Sequence, residues 1–400
     1  MRTPLRAAVA IAGVALAIGA TGHGEARASQ PDESSPQAEI VVQPASGGDV
    51  ASAARDAVAA MTVREQAASV VMGHIPTTDA AALRSYMETS GIGGFILMGA
   101  NIPKDEASLR ALTAALTLDP SRPPLIAIDQ EGGGVSRLPW DAFPSARTLK
   151  DASPEAAKDA FAGRAALVRR AGIGVNFGVV ADETSDSSSF IYGRALGTTP
   201  SAAAERVAAA VDGESTTVAS TLKHFPGHGA APGDSHSSIP ATGMSLDEWR
   251  ATHALPFGAG IDAGAPILMY GHLAYTSVDP APASLSAEWH RIAREELGFD
   301  GVAITDDLGM LHGSGLAEYG DPVANAVASI AAGNDMVLTV MFSTPESATE
   351  TADGIAAAVE SGALPRERLQ EAAERVMALR LALAAEGRGF VPCATCEPVD

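Results

Sequence analysis

The sequence predicts an α/β fold, a single (β/α)8 TIM-type barrel with long loops after its strands. Three observations predict it. Eight short apolar runs recur along some 330 of the 400 residues, helical patterns separate them, and polar residues gather where the runs end. In chain order the runs are SVVMGHI (69–75), GGFILMG (93–99), LIAIDQE (125–131) and GVNFGVVAD (174–182). STLKHFP (220–226), APILMYGH (265–272), GVAITDDL (301–308) and DMVLTV (335–340) complete the set. They are near-continuously hydrophobic and rich in β-branched residues, as strands buried on both faces of a parallel sheet must be. Patterns such as SAAAERVAAAVDG (201–213) and EAAERVMALRLALAAEG (371–387) read as the intervening helices. An open doubly wound sheet is the rival architecture, but no G-x-G-x-x-G follows the first strand.

Asp129, Glu131, Asp182, Lys223, His224, His272, Asp306 and Asp307 all fall at or near strand C-termini. In a barrel that end carries the chemistry, because its loops converge on one pocket.

The flanks differ in composition. Arg2 and Arg6 precede fourteen small or apolar residues (7–20), and Ala26-Arg27-Ala28 places small residues at a cleavage site. Residues 1–28 are therefore expected to be a secretory signal peptide, and the apolar run is too short for a membrane span. Secretion or another extracytoplasmic location is expected, without a stable membrane anchor. Residues 29–50, rich in Pro, Ser, Gln and acidic groups, read as a disordered linker. The folded domain is then 51–390 and the tail 391–400. Cys393 and Cys396, the two cysteines of the chain, lie in that tail and suit a small disulfide of an exported protein. A net charge of −21 argues against nucleic acid as a partner.

The loop LKHFPGHGAAPGDSHSSIP (222–240) holds three of the nine histidines. Metal binding, acid/base work and a plain turn compete for it. His224 and His228 have i, i+4 spacing, but Pro226 and Gly227 preclude the helix that would give that spacing meaning, so no metal is expected. Asp234 and His236 stand two apart, close enough in a turn for the carboxylate to fix the imidazole tautomer. By spacing alone such a pair is usually a solvated turn, and Lys223 suits either solvent or a buried anionic partner. In GVAITDDLGM (301–310), alternation sends Asp306 and Asp307 to opposite sides, one to the pocket and one to cap a helix.

These motifs resemble the family 3 glycoside hydrolases, and among them the compact bacterial β-N-acetylhexosaminidases. KHFPGHG with DSH eleven residues after the lysine is similar to that subgroup's acid/base loop, and GVAITDDLGM to the family's nucleophile motif. IAIDQEGGGVSRLP (126–139), PASLS (282–286) and AGNDMVL (332–338) are also family-like, and the likeness runs from Met61 to Arg380. The resemblance implies Asp306 as nucleophile, His236 as acid/base and Asp234 as the carboxylate that orients it. It implies Asp129, Arg137, Arg194, Lys223 and His224 as residues holding the terminal sugar, with no cofactor. Gly134 departs from the pattern, where the family carries arginine, and VVAD departs near Asp182.

The expected activity is retaining removal of terminal β-linked N-acetylglucosamine from cell-wall or chitin-derived oligosaccharides by a monomer. A β-glucosidase or β-xylosidase of the same family is an alternative, although those relatives draw their acid/base from a further domain. A non-catalytic barrel that binds wall glycans is another.

Overall fold

The computed structural model describes residues 47–385 and Cys396. Eight parallel strands close into a barrel in chain order, one for each apolar run of the sequence. They are β1 (Val71–Gly73), β2 (Gly94–Leu97), β3 (Leu125–Ile128) and β4 (Val175–Val180). The second half comprises β5 (Ala219–Phe225), β6 (Ile267–Tyr270), β7 (Val302–Asp307) and β8 (Met336–Leu338). Closure pairs Val71 with Val337 and Met72 with Leu338.

Alternation sorts the side chains into layers. On β7, Val302 and Ile304 face inward and join Met72, Ile96, Phe177 and Met269 in the barrel core. Ala303 between them packs outward with Phe257 and Trp289 under the helices. Side chains of this size each contribute about 1.5–3 kcal/mol when fully buried. Both strand faces are thus dry, which is why the strands lack the polar alternation of a half-exposed sheet.

The helices start where short polar side chains can take their free N–H groups. Ser153, Thr199 and Asp321 each cap a helix whose next residue is proline, already set at the helical φ. The predicted helices extend over Pro200–Glu214 and Arg366–Ala385. At the N-terminal end of β8, Asp335 is fully buried and accepts from Arg294 and Arg368 (2.6 Å each) and Arg375 (3.1 Å). Such a multiply paired buried carboxylate ties three arginines of the surrounding helices to the strand that closes the barrel.

One boundary moves. The first helix is Gly47–Ala59, so Gly47–Val50, assigned to the linker from composition, are helical. Ala54 and Val58 of that helix are buried, and this packing outweighs a polar, glycine-bearing start. The expected signal peptide (1–28) and nearly all of the expected linker lie outside the described residues. In the tail, Cys396 is disulfide-bonded and Cys393 lies outside the described residues.

Candidate active site

A cavity of about 300 Å³ opens at the C-terminal end of the barrel. Its floor is the top of the apolar core, with Ile96, Met269 and Leu338. Asp129, Arg137, Arg194, Lys223, His224, His236 and Asp306 all line it. Asp234 does not line it but bonds directly to His236.

Asp306 reaches the cavity because it continues the inward parity of Val302 and Ile304. Its Oδ1 accepts the Asp307 N–H at 2.8 Å, and its Oδ2 lies 4.0 Å from His224 Nε2. Burial pushes this carboxyl up, but His224, His272 and Lys223 together pull it below its ordinary value. It is therefore an ionised carboxylate at neutral pH, with one oxygen open to the cavity. Asp307 turns the other way and caps the helix Leu308–Gly313, as alternation predicts. It accepts from the backbone of Gly309 (3.0 Å), Val340 (2.8 Å) and Met341 (2.7 Å).

Two loops and strand β5 supply the ionic part of the floor. After β3, Gln130–Gly132 pairs with Val135–Ser136 in a tight hairpin. Gly132 has φ +91 and lies against Arg164, where a Cβ would sit 2.3 Å from the guanidinium, so only glycine fits this turn. The hairpin returns Arg137 over Asp129, and Arg137 Nη2 donates to Asp129 Oδ2 at 3.0 Å. Lys223 Nζ is 2.9 Å from Asp129 Oδ1 and 2.8 Å from Glu131 Oε1. Arg194 donates twice to Glu131, at 2.9 and 2.7 Å. Lys223, which the sequence allows to reach either solvent or an anion, is 2% exposed and faces two carboxylates. Burial alone would lower its pKa, yet Asp129 and Glu131 hold it above the usual lysine value. Burial raises Asp129, and Lys223 with Arg137 more than offsets that, leaving it at about 2.

His224 is aimed by a residue outside the candidate set. Fully buried Asp182, at the end of β4, takes His224 Nδ1–H at 2.7 Å and the His228 backbone N–H at 2.6 Å. Burial raises Asp182, but His224 and His228 hold it down at about 2. His224 Nε2 then lies 3.3 Å from Arg194 Nη2. Asp182 and Glu131 are both visible in the sequence as strand-end carboxylates, but their partners are not. Each partner comes from another strand or loop, from 42 residues away (His224 from Asp182) to 92 (Lys223 from Glu131).

The loop of Asp234 and His236 is built differently. Asp234 Oδ1 accepts from His236 Nδ1 (2.6 Å) and from the His236 N–H (3.0 Å), and Ser238 Oγ donates to the Asp234 carbonyl (2.8 Å). The His236 side chain is 57% exposed at the cavity rim. Burial nudges Asp234 up, while the hydrogen bonds from His236 bring it below the ordinary carboxylate value. His228 bonds Ser235 at 2.9 Å, so each of the loop's imidazoles is committed to a protein partner. Beside the loop, Phe190 lines the cavity with its ring 6.4 Å from that of His236. Space around Gly134 is open, with nothing within 4 Å of an added Cβ.

Residues 62–379 match the family model described as the glycosyl hydrolase family 3 N terminal domain. The chain belongs to glycosyl hydrolase family 3. A relative from Bordetella avium named Beta-hexosaminidase is 38% identical over 259 residues, covering 62% of this family 3 chain and 73% of the relative. Among solved structures, a glycoside hydrolase family 3 beta-N-acetylglucosaminidase from Paenibacillus is similar at 30% identity with a TM-score of 0.76. That match covers 85% of this chain and 66% of that one, so the chain spans just under two thirds of its length. A Beta-N-acetylhexosaminidase from Beutenbergia cavernae is 26% identical with a TM-score of 0.71, covering 80% of this chain and 98% of that one.

Proposed function

We propose that this family 3 barrel is a retaining β-N-acetylhexosaminidase acting on terminal β-linked N-acetylglucosamine. The observation that carries the reading is the meeting of an ionised Asp306 and the Asp234–His236 pair at one cavity. In this mechanism Asp306 attacks the anomeric carbon while His236, in its protonated form, gives a proton to the departing oxygen. The glycosyl–Asp306 ester then breaks as neutral His236 takes a proton from water, whose oxygen adds to the anomeric carbon. Asp234 holds the imidazole tautomer and supports its charged form. Asp129 and Glu131 accept from sugar hydroxyls, and Arg137, Arg194 and Lys223 donate to hydroxyls or the acetamido carbonyl. Their mutual ion pairs fix each group before substrate arrives, so little ordering is required on binding.

The names carried by its relatives support the hexosaminidase reading over a β-glucosidase or β-xylosidase. The N-terminal signal pattern and wall-derived substrates complete the proposal as an extracytoplasmic enzyme. Side-by-side assays of 4-nitrophenyl β-N-acetylglucosaminide and β-glucoside test it. The first is expected to be cleaved at least about 100-fold faster by kcat/KM, the discrimination available to a site built to hydrogen-bond the acetamido group. Preference for the glucoside would overturn the assignment, and cleavage of neither would favour a binding barrel.

A further inference from the structure

Beyond β8, the loop that carries Val340 and Met341 into the cavity wall continues into Phe342, and this residue breaks two rules at once. It is 66% exposed, the most exposed of the large apolar side chains among the described residues. Its φ is +60, a left-handed conformation that a bulky side chain adopts only under constraint from its surroundings. Water-facing apolar surface and backbone strain both count against stability, and neither serves the core. Strain of this kind concentrates where a ligand is gripped.

Position shows which part of a ligand would meet the ring. A Cβ placed on Gly313 would lie 3.3 Å from Phe342 Cε2 and 3.4 Å from the His236 carbonyl oxygen. The phenyl ring and the acid/base loop therefore converge on the same point of the helix Leu308–Gly313. The leaving group departs where His236 delivers its proton, so the sugar beyond the scissile oxygen emerges beside Phe342. His312 stands edge-on to the phenyl ring, centroids 5.3 Å apart at 69°, and leaves a ring face for a ligand. Val340 and Met341, the two residues before it, are held through their backbone N–H groups by Asp307.

We propose that Phe342, backed by His312, is the platform of the leaving-group subsite, on which the pyranose ring next to the scissile bond stacks its apolar C–H face. This rests on the hexosaminidase reading and adds a specificity element to it. A saccharide leaving group gains contact area there, whereas a leaving group of one carbon gains none.

The test compares N,N′-diacetylchitobiose with methyl β-N-acetylglucosaminide, two alkoxide leaving groups that differ in the presence of a ring. In Phe342→Ala the ratio of kcat/KM for the disaccharide to that for the methyl glycoside is expected to fall about tenfold. Phe342→Trp is expected to keep or raise the ratio, and His312→Ala to lower it about threefold. A ratio within about twofold of the parent value in Phe342→Ala, including an equal loss on both substrates, would overturn the platform. If the parent chain cleaves neither glycoside, the hexosaminidase reading itself fails and the subsite with it. A parent that prefers the disaccharide while Phe342→Ala does not separates the two claims.

Discussion

The floor of the cavity and the Asp234–Ser238 turn at its rim are built by opposite means. On the floor, Lys223, His224 and Glu131 are buried, and each is bonded to groups from other strands or loops. At the rim, Asp234 and His236 are half exposed, and the bonds that define their turn run within five residues. The barrel thus fixes Lys223, His224 and Glu131 through long-range contacts. His236, the proposed proton-transfer group, rides on a short, self-contained turn. A change on the floor should therefore disturb stability and binding together, while a change at the rim should alter chemistry alone.

The largest expected effect is at Asp306. Asp306→Ala should lower kcat on an aryl N-acetylglucosaminide by about 10⁴-fold or more, because the ester to this carboxylate is the intermediate through which the reaction runs. Turnover equal to the parent would remove Asp306 from the mechanism.

Lys223→Met tests the coupling of binding to stability. It leaves Asp129 and Glu131 facing each other with one arginine apiece, a loss of about 3–5 kcal/mol for a buried pair deprived of its partner. Urea denaturation and kcat/KM should both register it. The acid limb sharpens the test. Asp129 in the folded chain sits at about 2, below its unfolded value, so its contribution is present above roughly pH 4 and lost as pH falls through 2. Without Lys223 its folded pKa rises, and the acid loss of stability should begin at higher pH. An unchanged acid limb would mean that Lys223 does not hold Asp129.

His236→Ala should separate the rim from the floor. Its kcat/KM should drop about 10³-fold on methyl or saccharide leaving groups but less than about tenfold on a dinitrophenyl leaving group, which needs no proton. Its urea midpoint should stay within the error of the parent's, since the side chain is exposed. Similar losses for both leaving groups would contradict the acid role, and marked destabilisation would contradict the contrast itself.

Legibility in the sequence divides along the same line. Strand parity alone sends Asp306 and Asp307 to opposite sides, and two-residue spacing alone allows Asp234 to meet His236, because both are local properties. The partners of Glu131 and Asp182 stay hidden, since they depend on which strands are neighbours after the barrel closes. Lys223 is readable as a strand-end cation, but its burial is not. Gly47–Val50 escape a reading by composition because packing decides them. Phe342 gives no signal, for a lone aromatic between valine, methionine and serine reads as ordinary loop.

Asp307 makes one side chain serve as a mounting bracket. It grips the backbone, not the side chains, of Val340 and Met341, so the segment at the tip can exchange residues without losing its seat. Selection, or a protein engineer, is thereby offered an interchangeable fitting at position 342 on a fixed mount one residue along from Asp306.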